Sequence, residues 1–100
     1  MDRLTVRLRK KALGDIRRIR TWYRRIDPDL EDRFVKALNQ AFDQIQDFPF
    51  ALQVLYRNTR RISLKKFPYG VYYLVQESRI IVVAVIHHKR NPALAQAISE

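Results

Sequence analysis

Seven apolar residues in succession, Ile80-Ile81-Val82-Val83-Ala84-Val85-Ile86, constrain this chain more than any other feature. Successive side chains of a strand point to opposite faces, so a strand here is apolar on both. It belongs in the middle of a sheet, with helices over one face and a second cover, such as a partner, over the other. A bilayer span needs about 18 to 20 apolar residues together, and no such stretch occurs in the sequence.

The rest of the chain supplies the elements that such a strand needs. Leu4, Val6 and Leu8 alternate with Thr5, Arg7 and Arg9, the period of a strand with one buried face. From Lys10 the period lengthens: Leu13, Ile16, Ile19, Tyr23 and Ile26 form a helical stripe, with Arg17, Arg18, Arg20, Arg24 and Arg25 mainly on the other flank. Asp27-Pro28 ends this helix and starts a second one, because proline disfavours a helical residue before it but fits a first turn. Asp27 is placed to cap it, Asp29, Glu31 and Asp32 suit its positive end, and Leu30, Phe34, Leu38, Ala41, Ile45 and Phe48 form its stripe.

Phe48-Pro49 stops the second helix, and 50–60 reads as a loop in which 54–56 has the makings of a short edge segment. Strand-like runs follow at 61–67, 71–76 and 79–88, separated by short hairpin connections. Asn91-Pro92 stops the last strand, and 93–99 suits a short terminal helix. The order is β-α-α-β-β-β: an α+β fold, a helical hairpin packed on an antiparallel sheet, with the first strand beside the last long one.

At 100 residues this is one domain, and 47% hydrophobic with 30% charged residues suits a packed core rather than a disordered chain. With no cysteine and only two histidines, a structural metal shell is not expected, and nothing implies a cofactor. The N-terminus lacks a signal-peptide core, which reads as a cytoplasmic protein. The net charge of +10 is uneven. Residues 1–26 hold ten Lys/Arg against two acids, 27–56 two against six, and 57–100 eight against two. That distribution favours a polyanionic partner, RNA, DNA, a nucleoprotein or an acidic protein tail, without choosing among them.

A basic first helix, the Phe48-Pro49 stop, the run Arg60-Arg61-Ile62-Ser63-Leu64-Lys65-Lys66-Phe67-Pro68-Tyr69-Gly70-Val71-Tyr72-Tyr73 and the ending Val85-Ile86-His87-His88-Lys89-Arg90-Asn91-Pro92 occur in that order. In this ordered set the chain resembles the RelE/ParE superfamily of type II toxins, small plasmid-stabilisation and growth-inhibiting proteins neutralised by an antitoxin. RelE-like members cut messenger RNA on the ribosome, and ParE-like members block DNA gyrase without a nuclease centre. RelE-like nucleases commonly carry an essential tyrosine near the end of the last strand. Here His87 is followed by His88, Lys89 and Arg90, closer to the ParE-type ending.

The resemblance implies site residues of three kinds. RelE-like catalysis would draw on Arg61, Lys65, His87 and Arg90, which offer cations for phosphorane charge and a histidine for proton transfer. A target surface would use Arg60, Arg61, Lys89 and Arg90. An antitoxin would cover Arg17, Arg18, Arg20 and Trp22 and join the toxin in an oligomer, with apolar contact at the hairpin or open sheet face and acids on the basic surface. Each has a plainer reading. His87 serves as a hydrogen-bonding fold residue, the arginines are a solvated helix face, and Tyr69, Tyr72 and Tyr73 pack rather than stack on bases. A non-toxic nucleic-acid-binding module, or a toxin relic that only binds partners, would share the same charge and core.

Overall fold

The computed structural model describes residues 3–89. Its elements are β1 (Thr5–Leu8), α1 (Lys10–Ile26), α2 (Pro28–Asp47), β2 (Val54–Tyr56), β3 (Thr59–Ser63), β4 (Tyr69–Gln76) and β5 (Arg79–His87). The sheet order is β1-β5-β4-β3-β2. β5 is thus internal, as a strand apolar on two faces must be. β1 runs parallel to it with Thr5 opposite Arg79 and Leu8 opposite Val82, and the other pairings are antiparallel.

Three boundaries differ from the sequence reading. Residues 54–56 form the edge strand β2 within the expected loop, with Val54 opposite Arg60. β3 starts at Thr59 and stops at Ser63, because Lys66 takes a left-handed φ of 65° and the Leu64 N–H donates to the Tyr69 carbonyl at 3.0 Å, closing a turn before Pro68. β4 accordingly begins at Tyr69. The terminal helix expected at 93–99 lies outside the described residues.

The helix junction forms as expected. Asp27 is extended (φ −166°), its N–H donates to the Tyr23 carbonyl at 2.8 Å, and its side chain accepts the Asp29 N–H at 2.9 Å, capping α2 above the Pro28 start. Two stripe ends are corrected. Ile26 and Phe48 are 60% and 64% exposed: the buried stripe of α1 ends at Tyr23, and Phe48 leaves the helical conformation at the C-cap, carrying its ring off the stripe. Leu13, placed on the stripe by its spacing, is 37% exposed at the stripe's edge, and Ala12 is the fully buried residue there.

Both helices cover one sheet face. Ile16 and Ile19 of α1 and Phe34, Leu38, Ala41 and Ile45 of α2 pack with Ile62, Val71, Tyr73, Ile80, Val82 and Val85. On the opposite face Tyr72, Val83, Ala84 and Ile86 form a second buried cluster with Leu74 and Ile81. No described helix is long and apolar enough to cross a membrane.

A bulge in β5 links the two faces. Tyr72 pairs with Ala84 but Tyr73 pairs with Val82, so Val83 is an extra residue. Val83 and Ala84 both join the second cluster, and alternation restarts with Val85 toward the helices. The bulge is held from α1. Asp15, 1% exposed, accepts the Val85 N–H at 3.0 Å through Oδ2, while its Oδ1 accepts Lys11 Nζ and Arg18 Nη2, both at 2.6 Å.

Glu31 of α2 likewise holds two cations. It accepts Arg20 Nε at 3.0 Å and Arg24 Nε and Nη2 at 2.9 and 2.6 Å, tying the two helices together. Hydrogen bonding to Arg24, reinforced by Arg20 against the opposing effect of burial, lowers its pKa from 4.5 to about 2. A folded value below the unfolded one means that this stabilisation is complete above about pH 4.5 and disappears as pH falls through about 2. Glu31→Gln should therefore be less stable than the parent at neutral pH, with the gap closing across that acid window in urea titrations at stepped pH. A gap that stays constant to pH 2 would refute this account of the triad.

Candidate functional site

The residues singled out in the second half of the chain gather where β3, β4 and β5 end together, with Tyr69 opposite His87 and Gly70 opposite Ser63. The β5 bulge decides which histidine faces which way. His87 falls on the helix face, where its ring meets Tyr69 edge-on at 5.2 Å. Tyr69 in turn touches Tyr23 and Phe34 at 6.4 and 6.0 Å between centroids, and Phe67 closes the group at 5.3 Å from Tyr23 and 5.6 Å from Phe34.

His87 Nδ1 accepts the Lys89 N–H at 3.0 Å, which leaves Nε2 to carry the proton of the neutral ring. Behind Tyr69, burial first and then the neighbouring Tyr69 hydroxyl raise the pKa of Tyr23 to about 12, so its hydroxyl is protonated at neutral pH. This environment fits a histidine that clamps the strand end onto the helices.

Arg61 stands on the other side of the sheet. Its neighbour Ile62 enters the helix-side core, and the Arg61 stem crosses Gly70, where an added Cβ would lie 2.7 Å from Arg61 Cδ and 2.9 Å from Cγ. Glycine is therefore required for close approach rather than for an unusual φ. His88 lies on this same face, 3.3 Å from Ser63 Oγ through Nε2, and its N–H donates to the Pro68 carbonyl at 2.9 Å. Lys65 in the β3–β4 turn and Lys89 beyond β5 are exposed. Arg90 lies outside the described residues.

Arg60 has an internal task. Its Nη1 donates to the carbonyls of Phe50 and Leu52, and its guanidinium lies over the Phe50 ring at 5.4 Å. It thereby fastens the segment entering β2. Tyr73 helps from the core, donating its hydroxyl to the Pro49 carbonyl at 3.2 Å.

On α1, the four residues expected to meet a partner divide. Arg20 turns toward α2 and joins Arg24 on Glu31, and Arg18 reaches back to Asp15. Arg17 and Trp22 are exposed, Trp22 at 60%. Sequence reasoning missed Asp15, although its place near the apolar stripe, with Lys11 four residues before and Arg18 three after, was a visible signal of a buried, neutralised carboxylate. It also missed the Ser63–His88 contact, for which no local pattern exists. Among the described residues no group of three or more His, Cys, Asp or Glu is arranged to hold a metal ion.

Comparison with known proteins adds to this geometry. No curated protein matches the sequence. The fold is shared with a chain of the chromosomal ParDE toxin–antitoxin system from P. aeruginosa (TM-score 0.73, 16% identity, covering 84% of this chain and 95% of that one). It is also similar to a chain of the toxin–antitoxin complex RelBE2 from Mycobacterium tuberculosis (TM-score 0.55, 18% identity, covering 86% and 99%). The family model for the ParE toxin of the type II toxin–antitoxin system parDE matches residues 6–92. That match spans β1 to the end of β5 and the basic residues beyond it, so the chain belongs to the ParE toxin family within the RelE/ParE superfamily.

Proposed function

We propose that this protein is the toxin of a type II toxin–antitoxin module, acting in the cytoplasm on DNA gyrase in the ParE manner and held inactive by a cognate antitoxin. Family membership supports the toxin role, and the toxin–antitoxin complexes that share the fold support the antitoxin. The observation carrying the choice of target is that Arg61 and His87 stand on opposite sheet faces, with His87 packed on Tyr69. Cleavage through a ribose hydroxyl needs base, cation and acid within hydrogen-bond reach of one phosphate. Arg61 and His87 do not converge in that way, and Lys65 projects from the turn. A binding toxin has no such requirement, and exposed Arg61, Lys65 and Lys89 offer cations to an acidic target surface, with Arg90 next in sequence.

Induction of the chain alone should arrest bacterial growth, raise DNA-damage signalling and, with purified components, inhibit supercoiling by gyrase. Arg61→Ala should weaken inhibition by about tenfold, the scale of a lost charged contact at an interface. Codon-aligned cleavage of translated messages by the pure protein, abolished by His87→Ala, would replace the gyrase reading with a ribosome-dependent nuclease. Normal growth with abundant folded protein would remove the toxin role itself.

A further inference from the structure

The segment that leads from α2 into the edge strand serves neither the core nor the sheet end. Residues 48–56, Phe-Pro-Phe-Ala-Leu-Gln-Val-Leu-Tyr, carry no charge in a chain where 30% of residues do. The long uncharged runs 67–76 and 80–88 supply β4 and β5 and are largely buried. Here, by contrast, Phe48, Phe50, Val54 and Leu55 are 64%, 63%, 38% and 47% exposed. With two aromatic rings among them they present about 400 Å² to water, the scale at which an apolar patch on a soluble protein marks an interaction site. The patch is built rather than loose. Arg60 donates to the carbonyls of Phe50 and Leu52 with its guanidinium over the Phe50 ring, Val54 lies opposite Arg60 in the ladder, and the Tyr73 hydroxyl holds the Pro49 carbonyl. β2 then ends the sheet, with Leu55 an extra residue between the Val54 and Tyr56 pairings. Edge strands are commonly guarded by lysine, proline or an inward charge, and 53–56 contains none of these.

We propose that this patch is where two copies of the chain meet about a two-fold axis, Phe50, Val54 and Leu55 of each packing on those of the other beside the two β2 edges. Charge selects the occupant. The net charge of +10 opposes self-association through any basic face, whereas a contact confined to 48–56 sets no charge against its own copy. The acids nearest in sequence, Asp43 and Asp47, are paired with Arg3. A polyanion is drawn instead to the basic ends of the chain. A two-fold contact requires only that a surface match itself, and an uncharged apolar one does. A three-residue bulged strand cannot carry a long ladder, so side-chain burial supplies the contact. An interface this small predicts a weak dimer, with a Kd of about 10 to 100 µM. The proposal stands independently of the toxin–antitoxin reading.

Sedimentation velocity of the purified chain from about 5 µM to about 0.5 mM, a range spanning that Kd, should follow a monomer passing into a dimer. Added salt should leave this association unchanged or strengthen it, since no ion pair holds it. Leu55→Lys should raise the Kd about tenfold or more with an unchanged circular dichroism spectrum, because the side chain already meets water in the single chain. The chain has no cysteine, so Leu55→Cys provides a unique thiol. A short bismaleimide should join two copies of this variant at concentrations where Leu13→Cys, exposed on α1, gives no product. A chain that stays monomeric to about 0.5 mM overturns the proposal. So does a Leu55→Lys Kd within twofold of the parent, or equal cross-linking of the two cysteine variants, either of which moves the contact elsewhere. Protection of the 50–56 amides from hydrogen exchange only in complex with the product of the adjacent reading frame, the chain alone being monomeric, overturns it in favour of the antitoxin.

Discussion

Asp15→Ala is expected to destabilise the fold by about 3 kcal/mol, which for a domain of this size lowers Tm by about 15 °C. Two costs combine. The charge-assisted bond to the Val85 N–H is lost, and that buried donor, turned away from the ladder by the bulge, is left without an acceptor. The ion pairs contribute less, because Lys11 and Arg18 are 50% and 68% exposed and surface pairs contribute about 0 to 1 kcal/mol. Asp15→Asn keeps an oxygen within reach of Val85 and should lose about half as much. Urea unfolding with an unchanged m-value measures both. An Asn variant as damaged as the Ala variant would falsify the role given to the Val85 bond. The same variants should shift the His87 ring signals in NMR spectra, since the bulge that Asp15 holds is what turns His87 toward Tyr69.

Removal of the Phe34 side chain should cost still more, about 4 kcal/mol for Phe34→Ala, within the range for a buried aromatic replaced by alanine. Phe34 is fully buried and its ring lies 5.6 Å from both Tyr23 and Phe67 and 6.0 Å from Tyr69. The cavity would open at the junction of both helices with the β3–β4 turn, where rigid strands limit collapse. With total stabilities of about 5 to 15 kcal/mol, that loss takes a large share of the fold. Phe34→Leu, which retains most of the volume, should lose about 1.5 kcal/mol or less. Denaturant midpoints for the pair decide the matter: equal losses would show that the ring is not packed as described. The Ala variant should also weaken growth arrest at 37 °C through a lower folded population, whereas the Leu variant should not.

Much of this architecture was legible in residue patterns because the patterns reflect burial. The two periods, the Asp27-Pro28 junction and the doubly apolar 80–86 run gave the element order and the internal place of β5. The bulge at Val83 was not legible, because a run apolar at every position looks the same with or without an extra residue. The face assigned to His87 depends on that residue. Similarly, the basic stripe of α1 gave no sign of which arginines are committed. Arg20 and Arg24 meet Glu31 only because α2 folds back beside α1, and Arg60 is drawn to the carbonyls of Phe50 and Leu52 by a short edge strand with little sequence signal. Local pattern gives faces, and long-range contacts decide which charges on those faces remain free.

The pairing of β1 with β5 also governs when this molecule can exist during its own synthesis. Residues 5–8 bond to 79–82, and Asp15 closes on Val85, so the first strand lacks its sheet neighbour, and the first helix has α2 but not the sheet to pack on, until residues 79–87 have left the ribosome. Contacts of such sequence separation slow folding, because a long loop must close before they form. A nascent chain therefore offers an amphipathic, strongly basic helix and no finished sheet end for most of its translation. Any partner made nearby has that interval in which to meet α1 before the surface formed by β3, β4 and β5 is assembled.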